Sequence, residues 1–313
     1  MIAYFTKTNI GYSHIKENKC CQDYSACYHD EERTIITACD GHGGDIYVRS
    51  HLGSKFASNA VVSVLKELER SDFYKYSRTD ICNKLRLKIL CEWNAMVEKH
   101  LAEKYLSKRE VLHLSEDRLF KLKQHPEKAY GTTLIAICQT SDLWFGLQIG
   151  DGKCVCISKD GTMFEPIPWD DDCQANITTS ICDSDAIEEF RYCVKEECPI
   201  ATLIGTDGID DSYASDEELY VLYRSILTIF AEHGREIGEK EVSDFLPGLS
   251  KSGSGDDVSI AGIVSSNLSK SFIDVLKAQS EYENAKALVE SAKKEIILCN
   301  EKQEYILEAL KKA

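Results

Sequence analysis

The sequence of 313 residues lacks the features that mark membrane, secreted or nucleic-acid-binding proteins. No apolar run approaches the roughly 20 residues that cross a bilayer, and the first ten residues lack the basic and apolar regions of a signal peptide. Lys and Arg number 37 against 52 Asp and Glu, and the resulting net charge of −15 repels phosphate backbones and anionic membranes. We therefore expect neither nucleic acid nor a membrane among its partners.

Paired cysteine ligands are also absent, although the chain contains 14 cysteines. The closest spacings are Cys20-Cys21, Cys154-x-Cys156 and Cys193-x4-Cys198, and none is the C-x-x-C pair typical of a zinc site. Without a signal peptide, the thiols are expected to stay reduced and to serve mostly as small core residues. The sequence thus predicts a cytoplasmic protein with no disulfide framework and no cysteine metal site.

The order of strand and helix patterns predicts an α+β fold. The runs "MIAYF", "YSACY" and "TIITAC" are rich in β-branched and aromatic residues, as strands are. Apolar residues at helical spacing predict a helix over 46–68 and another over 85–101, and Ser215 with Glu218 forms a capping box that opens a helix through Phe230. Further strands are predicted within 127–164, 199–208 and 256–266. This irregular order favours hairpin-rich sheets covered by helices over a doubly wound parallel sheet.

The C-terminal segment differs in composition from the rest of the chain. From Leu268 onward it is charged and free of proline, and residues at alternating spacings of three and four form an apolar seam. The seam consists of Tyr282, Ala285, Val289, Ala292, Ile296, Cys299, Gln303, Ile306 and Leu310. Two arrangements account for it: a coiled coil, or a helix docked on its own domain. We predict one domain over 1–264 and a long helix over 265–313.

Three predicted strands end in the dipeptide Asp-Gly. The pairs are Asp40-Gly41 after "TIITAC", Asp151-Gly152 after "LWFGLQIG" and Asp207-Gly208 after "ATLIGT". Asp-Gly is common in hairpin turns, and Asp160-Gly161, between two strand-like runs, is predicted to be such a turn. Three carboxylates at the ends of apolar strands, with Asp256-Asp257 directly before "VSIAGIV", instead indicate that carboxylates meet at one point.

Carboxylates that converge require cations, because like charges at short distance repel by several kcal/mol. Oxygen ligands without a cysteine or histidine cluster favour the hard ions Mg²⁺ and Mn²⁺. Two such ions that share a bridging carboxylate can activate a water molecule and neutralise a phosphoryl group under attack. The pattern therefore predicts metal-assisted hydrolysis of a phosphate ester.

The glycines around Asp40 are consistent with this chemistry. Gly41, Gly43 and Gly44 leave room for backbone carbonyls and metal-bound waters. His42 is the one side chain beside them that can deliver a proton near neutral pH, and a purely structural role is the alternative for it.

Five motifs, in order, resemble the metal-dependent serine/threonine protein phosphatases of type 2C. They are "CDGHGG", "YGTTL", "QIGDGKCV", "GTDGIDDS" and "GDDVSI", and with "GYSHIKENKCCQDY" the resemblance covers residues 8 to 264. It implies a four-layer α-β-β-α sandwich, in which two antiparallel sheets are flanked by helix pairs. It also implies hydrolysis of phosphoserine and phosphothreonine in proteins by a metal-bridged hydroxide at a binuclear Mg²⁺ or Mn²⁺ site.

The resemblance also assigns roles to individual residues. It implies that Asp40 bridges two metals, that the Gly41 carbonyl contacts one of them, and that Asp207 and Asp256 complete the shell of the first. Asp23 matches the early acidic motif of the family, and Asp151 matches a carboxylate associated with a third, weaker metal. His42 would donate the proton to the leaving alkoxide, for which a metal-bound water is the alternative donor.

The chain departs from the family where the substrate phosphate is bound. An arginine five residues before the early aspartate is replaced by Asn18, and the residue directly before that aspartate, usually glutamate, is Gln22. The "Ser-His…Cys-Gln-Asp" pattern resembles a bacterial branch of the family, in which Ser13 and His14 would contact the phosphate instead.

The sequence therefore predicts a cytoplasmic, bacterial signalling enzyme that acts on phosphoproteins with two or three divalent cations. The C-terminal helix is predicted to mediate self-association or the binding of a partner protein. A non-enzymatic alternative is a phosphatase-like domain that binds phosphoproteins as a signalling adaptor.

Overall fold

Two antiparallel sheets of five strands lie face to face in the computed structural model, which describes residues 2–69, 71–170, 172–173 and 178–312. The strands are β1 (Ile2–Asn9), β2 (Tyr24–His29), β3 (Thr34–Cys39), β4 (Leu134–Gln139), β5 (Trp144–Ile149), β6 (Lys153–Ile157), β7 (Met163–Phe164), β8 (Arg191–Lys195), β9 (Ala201–Gly205) and β10 (Val258–Ser265). One sheet has the order β1-β10-β9-β6-β7 and the other β2-β3-β4-β5-β8. Both halves of this sandwich combine strands that are distant in sequence.

Helices cover the outer faces of the sheets. They are α1 (Tyr12–Glu17), α2 (Ser50–Lys66), α3 (Asp72–Lys75), α4 (Arg78–Glu103), α5 (Glu116–Gln124), a 3₁₀ helix (Pro126–Tyr130), α6 (Ala186–Glu189), α7 (Asp207–Asp210), α8 (Asp216–Ser252) and α9 (Lys270–Lys312). α2 packs on the sheet of β2 to β8 and against α4, whereas α8 packs on the other sheet and against α9. The predicted four-layer α+β sandwich with a long C-terminal helix is therefore confirmed.

Three apolar layers hold the sandwich together. Between the sheets, Ile36 and Ile137 from one sheet pack with Ile204 and Ile263 from the other. Outside the sheets, α2 and α4 bury a stripe of residues at intervals of three and four, and α8 does the same on the opposite side. Each buried aliphatic side chain stabilises the fold by roughly 1.5–3 kcal/mol relative to an exposed one.

The helix predicted to run through Phe230 is confirmed up to a kink at Gly234, beyond which a second helical segment runs to Ser252. Ser215 caps it, with its Oγ accepting a hydrogen bond from the Glu218 N–H at 3.4 Å. Gly234, at φ 78°, redirects the chain, and the second half of α8 then returns Val242 to the same core. The sequence "GREIGEKEVSDFLPGLSKS" contains glycines and Pro247, which break a simple helical pattern, so this half was not predicted.

The long helix α9 uses two different faces along its length. Ile273 and Leu276 are buried, Leu276 in the apolar cluster that α8 lines, and Glu283 pairs with Arg224 of α8 at 2.8 Å. Members of the predicted seam such as Val289 and Ile296 are exposed. The beginning of the helix is thus docked on its domain, through a face other than the predicted seam. The side chain of Leu310 lies outside the described residues.

This packing leads to a prediction about truncation. A chain that ends at Ser291 should retain the unfolding free energy of the full chain, because the residues that it loses make little contact with the domain. A chain that ends at Val264 should lose about 3–6 kcal/mol, since Ile273 and Leu276 leave the core. Urea denaturation of both truncated chains measures the difference. Equal stability of the two would contradict the docking of α9 on α8.

Candidate metal centre and active site

The antiparallel pairing places every predicted metal ligand at the same edge of the sandwich. β3 and β5 both pair with β4 and therefore run in the same direction, so Asp40 and Asp151 follow strands that end at one edge. Tyr24 pairs with Cys39, which puts Asp23, just before β2, at that edge too. In the facing sheet, the end of β9 lies beside the start of β10, next to Asp207 and Asp256.

The electrostatics show that these carboxylates face one another. Burial, followed by the charges of neighbouring carboxylates, raises the pKa of Asp40 well above its usual range. The neighbours are Asp207, Asp23, Asp256 and Asp151. Burial and the charges of Asp151, Asp256 and Asp211 raise the pKa of Asp207 to about 7. Such clustered oxygen donors are costly when all are ionised, and a hard divalent cation would remove that cost.

Asp23 connects the two sheets at this edge. Its side chain is buried, and the Thr206 hydroxyl donates a hydrogen bond of 2.8 Å to its Oδ2. Burial and the charge of Asp257 raise its pKa well above the usual range. Because Thr206 directly precedes Asp207, this bond joins the start of β2 to the end of β9.

Asp257 was included in the sequence analysis only as the neighbour of Asp256, without a role of its own. It is buried and accepts hydrogen bonds of 2.6 Å from the N–H groups of Gly11 and Gln22. His14 Nδ1 lies 3.0 Å from Asp257 Oδ1, and His14 Nε2 lies 3.7 Å from Asp256 Oδ1. These three side chains form a group whose ligand atoms lie within 4.8 Å of one another. Asp257 therefore fastens the N-terminal segment to the loop that carries Asp256.

Backbone contacts fix the position of Asp40. Its N–H donates to the Thr133 hydroxyl at 3.0 Å, and its carbonyl accepts from the Thr132 hydroxyl at 2.6 Å. Gly41 follows in a bridge to Thr132, and a Cβ on Gly41 would lie 2.5 Å from the Gln22 carbonyl. Glycine is required there because the backbone of another segment occupies the space of a side chain.

His42 lies in a protected position next to Asp40. It is 8% exposed, and its ring packs edge-on to that of Tyr47 with 4.8 Å between ring centroids. Burial lowers the pKa of His42 to about 4. The imidazole is therefore neutral at pH 7, and its protonated form is a stronger acid than an ordinary imidazolium.

The two residues predicted to contact phosphate, Ser13 and His14, contact other residues of the chain. The Ser13 hydroxyl donates to the Gly255 carbonyl at 2.7 Å, and His14 is only 9% exposed. Asn18, at the position of the missing arginine, ends α1 in the left-handed conformation at φ 55°. Asparagine tolerates this conformation better than arginine does. A phosphate contact from the Ser13 O–H would require that group to leave the Gly255 carbonyl.

Asp210 is a second acidic residue that the sequence analysis left without a role. Burial raises its pKa to about 8, although the Lys153 ammonium lies 4.0 Å away and opposes the shift. It follows Asp207 on the short helix α7, so the end of β9 places two protonatable carboxyls beside the site.

Comparisons with known proteins agree with this arrangement. A sequence model of the family described as protein phosphatase 2C matches residues 10–247. No curated protein sequence gives a significant match. No helix in the described residues has the length and apolar character needed to cross a membrane.

Several solved structures share the fold. The catalytic domain of the serine threonine protein phosphatase PstP, in complex with two manganese ions, is 17% identical with a TM-score of 0.52, over 84% of this chain and 97% of that one. Serine/threonine phosphatase Stp1 from Staphylococcus aureus is 15% identical with a TM-score of 0.55, over 84% and 95%. The S. agalactiae serine/threonine phosphatase is 15% identical with a TM-score of 0.52, over 85% and 100%. At these identities the likeness establishes the fold.

Proposed function

Because the chain belongs to the protein phosphatase 2C family, and is thereby a protein serine/threonine phosphatase, we propose that it hydrolyses phosphoserine and phosphothreonine at a site of two divalent cations. The observation that carries the proposal is the convergence of carboxylates from both sheets at one edge. Mg²⁺ or Mn²⁺ bound there would supply a hydroxide nucleophile at neutral pH and neutralise charge on the phosphoryl group.

The ligand assignments follow from the neighbours of each carboxylate. Asp40 is the proposed shared ligand, because its carboxylate interacts with those of Asp207, Asp23, Asp256 and Asp151. Asp207 and Asp256 are the proposed partners on the side of β9 and β10, with the Gly41 carbonyl as a further oxygen donor. Asp151 is the proposed ligand of a third ion. Ser13 and His14 remain the proposed contacts of the substrate phosphate.

A phosphatase assay tests the proposal directly. Turnover of p-nitrophenyl phosphate and of a phosphoserine peptide should require Mn²⁺ or Mg²⁺ and should stop when EDTA is added. Binding of the phosphopeptide without any turnover in saturating metal would instead support the adaptor alternative, which the loss of the phosphate-binding arginine at Asn18 raises.

His42 is the proposed donor of the proton that the leaving serine oxygen requires. Because burial keeps its imidazole neutral at pH 7, the proton would have to come from the neutral ring N–H, and a metal-bound water is the alternative donor. His42→Phe keeps a ring beside Tyr47 but carries no transferable proton, and it should reduce kcat on the phosphopeptide by about 10²-fold. The same variant should reduce kcat on p-nitrophenyl phosphate only a few-fold, because a phenolate leaves without protonation. Steady-state kinetics on both substrates measures this difference. Equal losses would show that His42 serves as a scaffold residue.

A further inference from the structure

A basic pocket lies beside the candidate active site in this otherwise acidic chain. Residues 99–128 contain eight Lys and Arg against five Asp and Glu, whereas the whole chain has a net charge of −15. The pocket has a volume of about 470 Å³. It is lined by Gly44, Asp45, Ile46, Tyr47, Arg118, Lys121, Leu122, His125 and Lys128.

The pocket is connected to the site through Tyr47. The Tyr47 ring contacts that of His42, and Tyr47 also lines the pocket. Gly44 also lines the pocket and lies four residues after Asp40, so the two Cα atoms are at most about 14 Å apart. A polypeptide substrate covers that distance with about four residues when it is extended.

The basic groups of the pocket are available to an anion. Arg118 pairs with Asp45 at 2.5 Å, but both side chains are more than half exposed. Such exposed pairs are worth only about 0–1 kcal/mol, so a substrate anion can compete for the arginine. Lys128 lies 3.6 Å from Asp183, and Lys121 makes no ion pair with any residue that the structure describes.

The segments around the pocket are joined by a network of polar contacts centred on the buried Arg49. Arg49, 2% exposed, pairs with Glu110 at 2.8 Å and donates to the Tyr130 hydroxyl at 2.7 Å. His113 contacts the Asp45 carbonyl at 3.0 Å. The loop after α4, the 3₁₀ helix that ends at Tyr130 and the loop after His42 are thereby joined. The buried Leu122 anchors α5 to the core, so the cationic side chains project from a fixed frame.

We propose that this pocket binds an anionic group, a carboxylate or a second phosphate, on the phosphoprotein substrate within about four residues of the phosphorylated side chain. The chain would then prefer phosphorylation sites in acidic or multiply phosphorylated segments, despite its own negative charge. This inference rests on the proposed function, because it deepens the description of the substrate of that site.

Three phosphoserine peptides test the pocket: one with neutral flanks, one with glutamates three and four residues from the phosphoserine on both sides, and one with a second phosphoserine there. The wild type should hydrolyse the two anionic peptides with about tenfold higher kcat/KM than the neutral one. Lys121→Glu should remove this preference and leave p-nitrophenyl phosphate turnover unchanged. The two anionic peptides distinguish carboxylate from phosphate as the bound group.

Lys123→Glu is the matched control, because Lys123 is an exposed lysine of the same helix that does not line the pocket. This variant should retain the preference for the anionic peptides. In the wild type and in Lys123→Glu, the preference should weaken as the NaCl concentration rises, since salt screens exposed charges. Equal wild-type rates on all three peptides, or equal losses in both lysine variants, would overturn the proposal.

A binding measurement separates this inference from the proposed function. Fluorescence anisotropy with a labelled glutamate-rich peptide that carries no phosphate should detect binding to the wild type and to Lys123→Glu, but weaker binding to Lys121→Glu. This holds even if p-nitrophenyl phosphate is not turned over. No difference between the two lysine variants would overturn the pocket, whereas absence of aryl phosphate turnover would overturn the proposed reaction alone.

Discussion

Replacing Asp207 with asparagine is expected to lower kcat on both phosphopeptide and aryl phosphate by at least about 10²-fold while the fold is retained. The substitution removes one negative oxygen ligand from a site whose chemistry depends on bound cations, and the metal contributes several kcal/mol to such reactions. Asp207 begins α7 and does not belong to the apolar clusters of the core, so the variant should unfold cooperatively like the wild type.

Asp160→Asn is the matched control for Asp207→Asn. Asp160 also precedes a glycine, but it occupies an exposed turn between β6 and β7 and accepts a hydrogen bond from Thr162 N at 3.0 Å. It should keep full turnover. Activity of Asp207→Asn within about threefold of the wild type at saturating Mn²⁺ would refute the assignment of Asp207 as a ligand, given the size of the usual metal contribution.

Removing the metal is expected to abolish turnover and to destabilise the chain, more strongly at pH 8 than at pH 5.5. Without metal, the pKa of Asp207 is raised to about 7, above the value near 3.9 of an unfolded chain. The metal-free folded state therefore binds a proton that the unfolded state does not, and its stability falls as pH rises from about 4 through 7. Below pH 7 a divalent cation must displace that proton to bind, which reduces the stabilisation that binding gives. Above pH 7 there is no proton to displace, and the cation relieves the repulsion between the ionised carboxylates.

Thermal unfolding with EDTA or with Mn²⁺ at each pH measures this effect. At a Mn²⁺ concentration about 100 times its Kd, the gain is about 2.7 kcal/mol, and a chain of this length should melt about 4 °C higher. Asp207→Asn should show a smaller gain at pH 8. A Mn²⁺ gain that is larger at pH 5.5 than at pH 8 would contradict the carboxylate site.

Asp160 and Asp207 show what local sequence can distinguish. Both precede glycine and follow an apolar strand, but the polar Ser158 and Lys159 separate Asp160 from β6, whereas "ATLIGT" leads directly into Asp207. The sequence assigned the first to a turn and the second to a site. The structure places Asp160 in the turn between β6 and β7, and Asp207 among other carboxylates. The turn at Asp160 was predictable because a short polar link between two strand-like runs is visible in a few consecutive residues.

Asp257 and Lys121 show what neighbouring residues in the sequence do not predict. The partners of Asp257 are Gly11 and Gln22, more than 230 positions away in the chain, and nothing near Asp257 indicates them. Lys121 resembles many solvent-exposed lysines of amphipathic helices, and only its position across from Tyr47 distinguishes it. The same applies to α9, whose sequence has apolar residues on more than one side. Only the contact with α8 shows that the face with Leu276 is buried in the first turns.

The sequence alone determined the α+β class, the strands that end in carboxylates and the family, because each depends on residues adjacent in the chain. Tertiary structure decided which carboxylates face one another, since antiparallel pairing brings the ends of β3, β5 and β9 and the start of β10 to one edge. It also decided that His42 is desolvated and that α5 places its cations beside Tyr47. Burial and charge proximity are properties of segments brought together in space, and for that reason they emerge only when the chain is folded.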